Sequence, residues 1–527
     1  MSRDFQLPGR SAVIACEGMV ATSHPLASLA AIEVLRAGGN AADAAVAAVV
    51  VLCVVEPHMT GIGGDCFCMI AKPGAPVWGY NGSGRAGRRA SIEELLAQGH
   101  RSIALDSIHA VTVPGAVDAW AAILAAHGRH GLDRALAPAI RYANEGFPVA
   151  ARIAWDWSQL VNKLRADPGA ARHYLRGGLA PAEGDVMKLP ALAETLSAIA
   201  AKGRDAFYQG PIAQDMVATL AQRGSFLSVE DFSEHRGEVV APIMSNYRGI
   251  DVLELPPNTQ GLTALVLLNI LERFDLAGLD PLGAERFHLA VEVARLAYAV
   301  RDAHIAEPRA MRIAVEELLA KDFAAGLAAR IDGARRSSLP SASLAASDTV
   351  YLAVVDRDRM AVSLINTLFS SFGVGVCTER SGIMLTNRGA CFRLDPDHPN
   401  AFGPRKRPLH TIIPALALRG ERCDMAFGVM GAHYQPMGHA QVVTNMVDYG
   451  MDVQAAIDAP RAFFVEGQTV VEHSLPRSTV DGLTMRGHEV ALAQSPWGGG
   501  QAVRIDWQRG VLIGGSDPRK DGCAIGY

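Results

Sequence analysis

The rhythm of apolar and polar positions changes about two thirds of the way along the chain. Before that point it is mainly helical. Residues 24–56 read as two helices broken at Gly38-Gly39-Asn40. The second opens on an asparagine able to cap it and stops at Glu56-Pro57. Residues 114–127, 135–145, much of 190–222, 263–279 and 285–306 also read as helical. A glycine-rich turn, Gly61-Ile62-Gly63-Gly64, leads into an alternating run from Asp65 to Ala71 that predicts a strand. Beyond residue 349 strands prevail, at 350–356, 360–367, 382–386, 411–418 and 425–429, with one helix at 435–449. The stretch from Asp332 to Ser347 is rich in Gly, Ser, Ala and Arg, and predicts a polar, mobile linker. Helices followed by strands across an exposed joint predict an α+β layered architecture.

Composition narrows the function classes. The 527 residues suit one large domain or two intimate lobes, and 49% apolar with 20% charged residues is ordinary for a globular chain. A net charge of −5 leaves no electrostatic footprint for nucleic acid. The basic groups Arg85, Arg88, Arg89 and Arg405-Lys406-Arg407 default to solvated faces or anion contacts. The N-terminus has no basic start followed by an apolar core. The longest apolar run, Ala44 to Val55, falls short of the ~20 residues a membrane span needs. A cytoplasmic protein without a membrane partner is the expectation. Eight cysteines are scattered, and Cys66-Phe67-Cys68 has no second pair to complete a zinc site. No disulfide framework, metal or cofactor is indicated.

Several motifs invite chemistry and fail on context. The Gly61–Gly64 loop follows a helix and precedes a strand, the reverse of a dinucleotide fingerprint. His433, His439, His24 and His58 match no zinc spacing, so structural or substrate-contacting roles suit them better. Asn81-Gly82-Ser83-Gly84-Arg85 lacks the first glycine of a nucleophile elbow. There remains Thr349, in Ser347-Asp348-Thr349-Val350-Tyr351. Taken alone it is a strand-initiating threonine. If the chain were cut before it, it would carry a hydroxyl and a free α-amine together, a nucleophile with its own base.

Motifs spread almost end to end give that second possibility weight. They are "VLRAGGNAADAAVA", "PHMTGIGGD", "TVPGAVDAW", "DTVYLAVVDRDRMAVSLINTLFSSFG", "GIMLTNRGACF", "KRPLHTIIPAL", "GVMGAH" and "GGSDPRKDGCAIGY". In this order they resemble the γ-glutamyltranspeptidase family of N-terminal nucleophile hydrolases. The resemblance implies an αββα sandwich and self-cleavage between Asp348 and Thr349. It implies a large fragment, 1–348, and a small fragment, 349–527, intertwined in one domain as a heterodimer, which can pair again into a dimer of heterodimers. It also implies Thr349 as nucleophile, Thr367 as the residue that positions it, and backbone donors at Gly431-Ala432 for the oxyanion. An α-amine titrates near about 7.7 to 8, close enough to neutrality to accept the hydroxyl proton.

The chain departs from the family where the donor's α-amino acid head would bind. Phe369 stands where the family has an asparagine, and Cys391 where it has an aspartate that pairs with the substrate ammonium. His410-Thr411 replaces a Ser-Ser pair, and the segment 392–406 is shorter than its counterpart. Arg85 corresponds to the family's carboxylate-binding arginine, and Arg85, Arg388 or His410 could hold a carboxylate. Keeping the nucleophile while losing the ammonium partner predicts a small carboxylate-bearing amide without an ammonium, because unpaired polar groups are strongly rejected. Several motifs look closest to the oxamate amidohydrolase branch. The alternatives are a genuine γ-glutamyl transferase or glutathione hydrolase, a glutaryl or cephalosporin acylase, and a non-catalytic scaffold.

Overall fold

Along strand Arg422–Met430, successive side chains enter two different cores. Ala426 and Met430 join a cluster with Leu352, Val354, Leu364 and the helices of the N-terminal third. Met425, Phe427 and Val429 point the other way, among Leu265, Leu268, Val291 and Val443. This alternation of period two is how one sheet separates two cores. The strand lies in a seven-stranded antiparallel sheet ordered Val13–Ala15, Val511–Ser516, Gly499–Asp506, Arg422–Met430, Ala415–Arg419, Ile250–Glu254, Ile243–Tyr247. The second seven-stranded antiparallel sheet is ordered Cys523–Gly526, Met19–Thr22, Val350–Val355, Ala361–Thr367, Asp65–Ala71, Trp78–Gly82, Glu238–Val240. This computed structural model describes residues 9–338 and 349–527, so Asp348 lies outside the described residues.

The two sheets stack face to face with helices outside each, giving a four-layer αββα sandwich. Tyr351 reaches across the interface: a Cβ on Gly428 would lie 2.5 Å from its ring, so the opposite strand needs glycine there. The outer layer on the second sheet includes Pro25–Arg36, Ala41–Val55 and Ala116–His127, and the layer on the first includes Gly261–Leu271, Ala284–His304 and Gln435–Val447. Helix Ala41–Val55 is the long apolar run, and every residue of it is buried. Asn40 caps it through Ala42 N and Asp43 N, while the Asp43 carboxylate accepts from Asn40 N. Among the described residues, no helix is long and apolar enough to cross a membrane.

Several expectations need correction. The first two thirds supply more strands than the single one expected at Asp65–Ala71, because each sheet draws on both sides of residue 349. Strands such as Trp78–Gly82 and Gly499–Asp506 contain glycines that hide them from a propensity reading, and sheet pairing overrides it. Residues 382–386 form only the isolated bridge Cys377↔Met384, and Thr386 N donates to Gly63 O (3.0 Å) in the glycine turn. The strand expected at 411–418 begins at Ala415, and the helix expected to reach 279 stops at Leu271. The first part of the expected mobile linker is tied down: Ser337 N donates to Glu292 Oε2 (2.8 Å) and Arg336 N to Arg486 O (2.7 Å).

Candidate active site

Thr349 opens strand Val350–Val355 and is fully buried. The antiparallel register pairs Val350 with Asn366, which sets Thr349 beside Thr367 at the end of the neighbouring strand. Their hydroxyl oxygens lie 3.1 Å apart. Thr367 Oγ1 also accepts from Phe369 N (2.8 Å), which fixes its rotamer. The glycine-rich turn supports this junction from below. A Cβ on Gly64 would lie 2.0 Å from Thr367 O, and one on Gly63 would lie 2.1 Å from Met384 O. Those glycines permit close backbone approach, the physical use a nucleotide reading would have missed.

Strand Arg422–Met430 delivers the next element. Gly431 follows it at φ +124°, and a Cβ there would meet Gly498 Cα at 2.9 Å. Ala432 sits at φ +45°, a left-handed conformation that costs an L-residue roughly 1–2 kcal/mol. Gln260 holds the turn: its Nε2 donates to Ala432 O (2.8 Å) and to Thr411 O (2.7 Å), while its Oε1 accepts from Arg301 Nη1 (2.9 Å). No described residue accepts from the N–H of Gly431 or Ala432. The turn thus holds two adjacent backbone N–H groups without an acceptor among the described residues.

Arg388 is the unusual group. Its side chain is completely buried, and its Cζ stacks 4.0 Å over the ring of Phe369. Nη1 donates to Thr411 Oγ1 (3.0 Å) and approaches Cys391 Sγ (3.6 Å). Nε and Nη2 have no hydrogen-bond partner, and among the described residues no carboxylate lies within 4.0 Å, the Asp65 carboxylate acting on the guanidinium from farther away. Burial lowers its pKa from the ordinary guanidinium value, and raises that of the Cys391 thiol, against which Arg388 pulls. Phe369 holds its position at φ +79°, a strained value for a bulky residue. Its ring meets His433 edge-on at 6.3 Å between centroids.

His410 and Arg85 are oriented elsewhere. His410 Nε2 faces Asp65 Oδ2 at 3.0 Å, both fully buried, and its Nδ1 accepts from Ile412 N (3.3 Å). Burial, followed by the Arg388 charge, pushes the imidazole down to about 3 despite Asp65. It is therefore neutral and donates from Nε2. Arg85 pairs with Glu307 and with Glu238 (2.7 Å), and Arg88 and Arg405 pair with Glu234. Arg85, Arg88, Arg405 and Arg407 thus face the protein's own carboxylates.

One chain of contacts joins Thr349, Thr367, Phe369, Arg388, Cys391 and Thr411, and Gln260 ties Gly431-Ala432 into it. Gln260, Arg301 and Asp65 were not singled out from sequence. Gln260 lies in a loop before a helix, where no periodicity marks a buried polar residue. Among the described residues, no group of three His, Cys, Asp or Glu side chains could hold a metal ion.

Known proteins match the chain almost end to end. The family model described as Gamma-glutamyltranspeptidase matches residues 27–527. A glutathione hydrolase-like YwrD proenzyme of Bacillus subtilis is 40% identical, covering 98% of this chain and 99% of its own. The oxamate amidohydrolase proenzyme of Klebsiella pneumoniae is 36% identical over 98% of this chain and all of its own. A crystal structure of a cephalosporin acylase from Bacillus halodurans superposes with a TM-score of 0.94 at 37% identity, covering 100% of this chain and 99% of that one. The chain belongs to the gamma-glutamyltranspeptidase family of hydrolases and transferases.

Proposed function

We propose that the chain cleaves itself between Asp348 and Thr349, and that the new N-terminal threonine hydrolyses amides whose acyl half carries a carboxylate but no ammonium. The fragments 1–348 and 349–527 remain one intertwined domain. The freed α-amine takes the Thr349 hydroxyl proton as Oγ1 attacks the amide carbonyl. The hydroxyl of Thr367, 3.1 Å away, orients the nucleophile. The N–H groups of Gly431 and Ala432 receive the developing oxyanion; one such donor is typically worth about 3 to 4 kcal/mol of barrier. The amine leaves with the proton, and water resolves the acyl-enzyme by the reverse path.

The observation that carries this reading is Arg388. A buried cation with no carboxylate in ion-pair contact is costly, and a substrate carboxylate would offset that cost. Nε and Nη2 are the two donors left to meet it. The same surroundings disfavour an ammonium, because the family's aspartate is replaced by Cys391, whose thiol burial keeps neutral. Arg85, already paired with two carboxylates, is less suited to the task. Oxamate-like and glutaryl-like donors both meet these requirements, whereas a γ-glutamyl donor brings an ammonium with no partner.

On a denaturing gel, the purified protein should resolve into two fragments, and Thr349→Ala should remain one chain without hydrolase activity. Ammonia or amine release from oxamate, glutaryl amides and glutathione should favour the first two. One uncleaved wild-type band after long incubation would overturn the self-processing step, and preferential hydrolysis of glutathione would overturn the acyl preference.

A further inference from the structure

Gln260 is fully buried in the loop between strand Ile250–Glu254 and helix Gly261–Leu271, and it touches two loops from beyond residue 349. Its Nε2 donates to Thr411 O (2.7 Å) in one and to Ala432 O (2.8 Å) in the other. The backbone adds to the first contact: Gln260 N donates to His410 O (2.9 Å), and His410 N to Asn258 O (2.8 Å).

The orientation of the amide is forced. Arg301 can only donate, so the atom it meets at 2.9 Å is Oε1, which turns Nε2 toward the two carbonyls. Arg301 is itself pinned by Asp302 (2.7 Å), by the face of Tyr298 (4.5 Å) and by His433 Nδ1 (3.0 Å). Burial keeps the His433 imidazole neutral, so its Nδ1 is free to accept.

Each end of this bridge reaches a group assigned to the reaction. Thr411 Oγ1 accepts from Arg388 Nη1 (3.0 Å), the guanidinium assigned to the acyl carboxylate. Ala432 carries one of the two N–H groups assigned to the oxyanion. Its carbonyl and its N–H flank one Cα, so anchoring the first restrains the second. At φ +45° an alanine keeps this conformation only under restraint from its surroundings.

We infer that Gln260 is a positioning residue that couples acyl recognition to oxyanion stabilisation, by locking the carboxylate-binding and oxyanion-binding loops into one frame. The inference rests on the reading of Arg388 and Gly431-Ala432 as those two sites, and it deepens that reading. With the loops locked, a carboxylate seated on Arg388 also sets the scissile carbonyl against the turn. Its binding energy then appears in kcat and not only in KM.

Glutaryl 4-nitroanilide and valeryl 4-nitroanilide have acyl chains of equal length and differ in the terminal carboxylate. Wild-type enzyme should favour the glutaryl donor by about ten-fold or more in kcat. A preference lying wholly in KM would overturn the coupling from the wild-type enzyme alone. Gln260→Met keeps the side-chain length and removes the bridge, while Arg301 retains Asp302. Gln260→Glu keeps the acceptor for Arg301 and sets a carboxylate oxygen against the two carbonyls. In either variant glutaryl kcat should fall about 10²-fold, the scale of losing an oxyanion donor, with KM held within about three-fold. The valeryl kcat should fall less, bringing the ratio to within about two-fold. Equal loss for both donors would mark Gln260 as structural only and overturn the coupling. Arg388→Met separates this inference from the acyl reading. If it abolishes the glutaryl preference while Gln260→Met leaves the kcat ratio intact, the acyl site stands and the coupling falls. A glutaryl preference that survives Arg388→Met would reject the acyl reading, and the coupling with it.

Discussion

Two buried arginines in this molecule meet opposite fates. Arg461 lies among Asp517 (2.6 Å), the carbonyl of Ile457 (3.2 Å) and that of Trp497, so its charge is answered within the fold. Arg388 touches a hydroxyl, a thiol and the face of a ring, and the nearest anion acting on it, Asp65, lies beyond ion-pair distance. Both pay the cost of leaving water, and only one recovers it inside the chain. A fully answered buried charge is structural, whereas an unanswered one next to a buried threonine pair is where a ligand's charge belongs. Substitutions should separate the two.

Thr349→Ala should have the largest effect, abolishing self-cleavage and lowering hydrolysis by about 10⁴-fold or more, measured by intact mass and turnover together. Arg388→Met comes next. Losing two hydrogen bonds to a carboxylate, each worth about 1.5 to 3 kcal/mol, should lower kcat/KM for carboxylate donors by about 10² to 10⁴. Its denaturation midpoint should hold or rise, because the removed charge made no ion pair within the fold. Arg461→Met should do the opposite, costing about 1 to 3 kcal/mol of stability, because Asp517 loses one of its two arginine partners and the Ile457 and Trp497 carbonyls lose a donor. Equal losses of stability in the two variants would erase the distinction. Thr367→Val should reduce kcat roughly five- to ten-fold through the lost hydroxyl contact, while the fragments still form.

A separate effect is a pH dependence of stability. His410 is neutral when folded, with its pKa near 3, and titrates near about 6.5 when unfolded. The unfolded chain thus binds a proton that the folded one refuses. The stability this contributes is complete above about pH 6.5 and falls toward pH 3, by about 1.4 kcal/mol per pH unit. His24 and His235, both lowered to about 4, act with the same sign. Denaturant midpoints between pH 7 and 4 should decline less steeply for His410→Gln. An unchanged slope would mean that the imidazole is already charged when folded.

Much of this was legible in sequence, for identifiable reasons. Helix Ala41–Val55 announced itself because its cap, apolar run and proline stop are local. The Thr349 junction was legible through a family resemblance and a change of period. The sheets were less so, since Met19–Thr22 and Cys523–Gly526 are adjacent in one sheet while lying at opposite ends of the chain. In the site, Phe369, Cys391 and Thr411 could be noted as departures, but the missing counter-ion of Arg388 could not. Nor could the pairing of Arg85 with Glu238 and Glu307, because ion pairs between distant segments leave no local pattern.

The central claim, that the acyl site reads a carboxylate and rejects an ammonium, is tested most directly by two donors differing in that one group. Processed enzyme should hydrolyse glutaryl 4-nitroanilide at least about ten-fold faster, in kcat/KM, than γ-glutamyl 4-nitroanilide. Equal rates, or faster release from the γ-glutamyl donor, would contradict it.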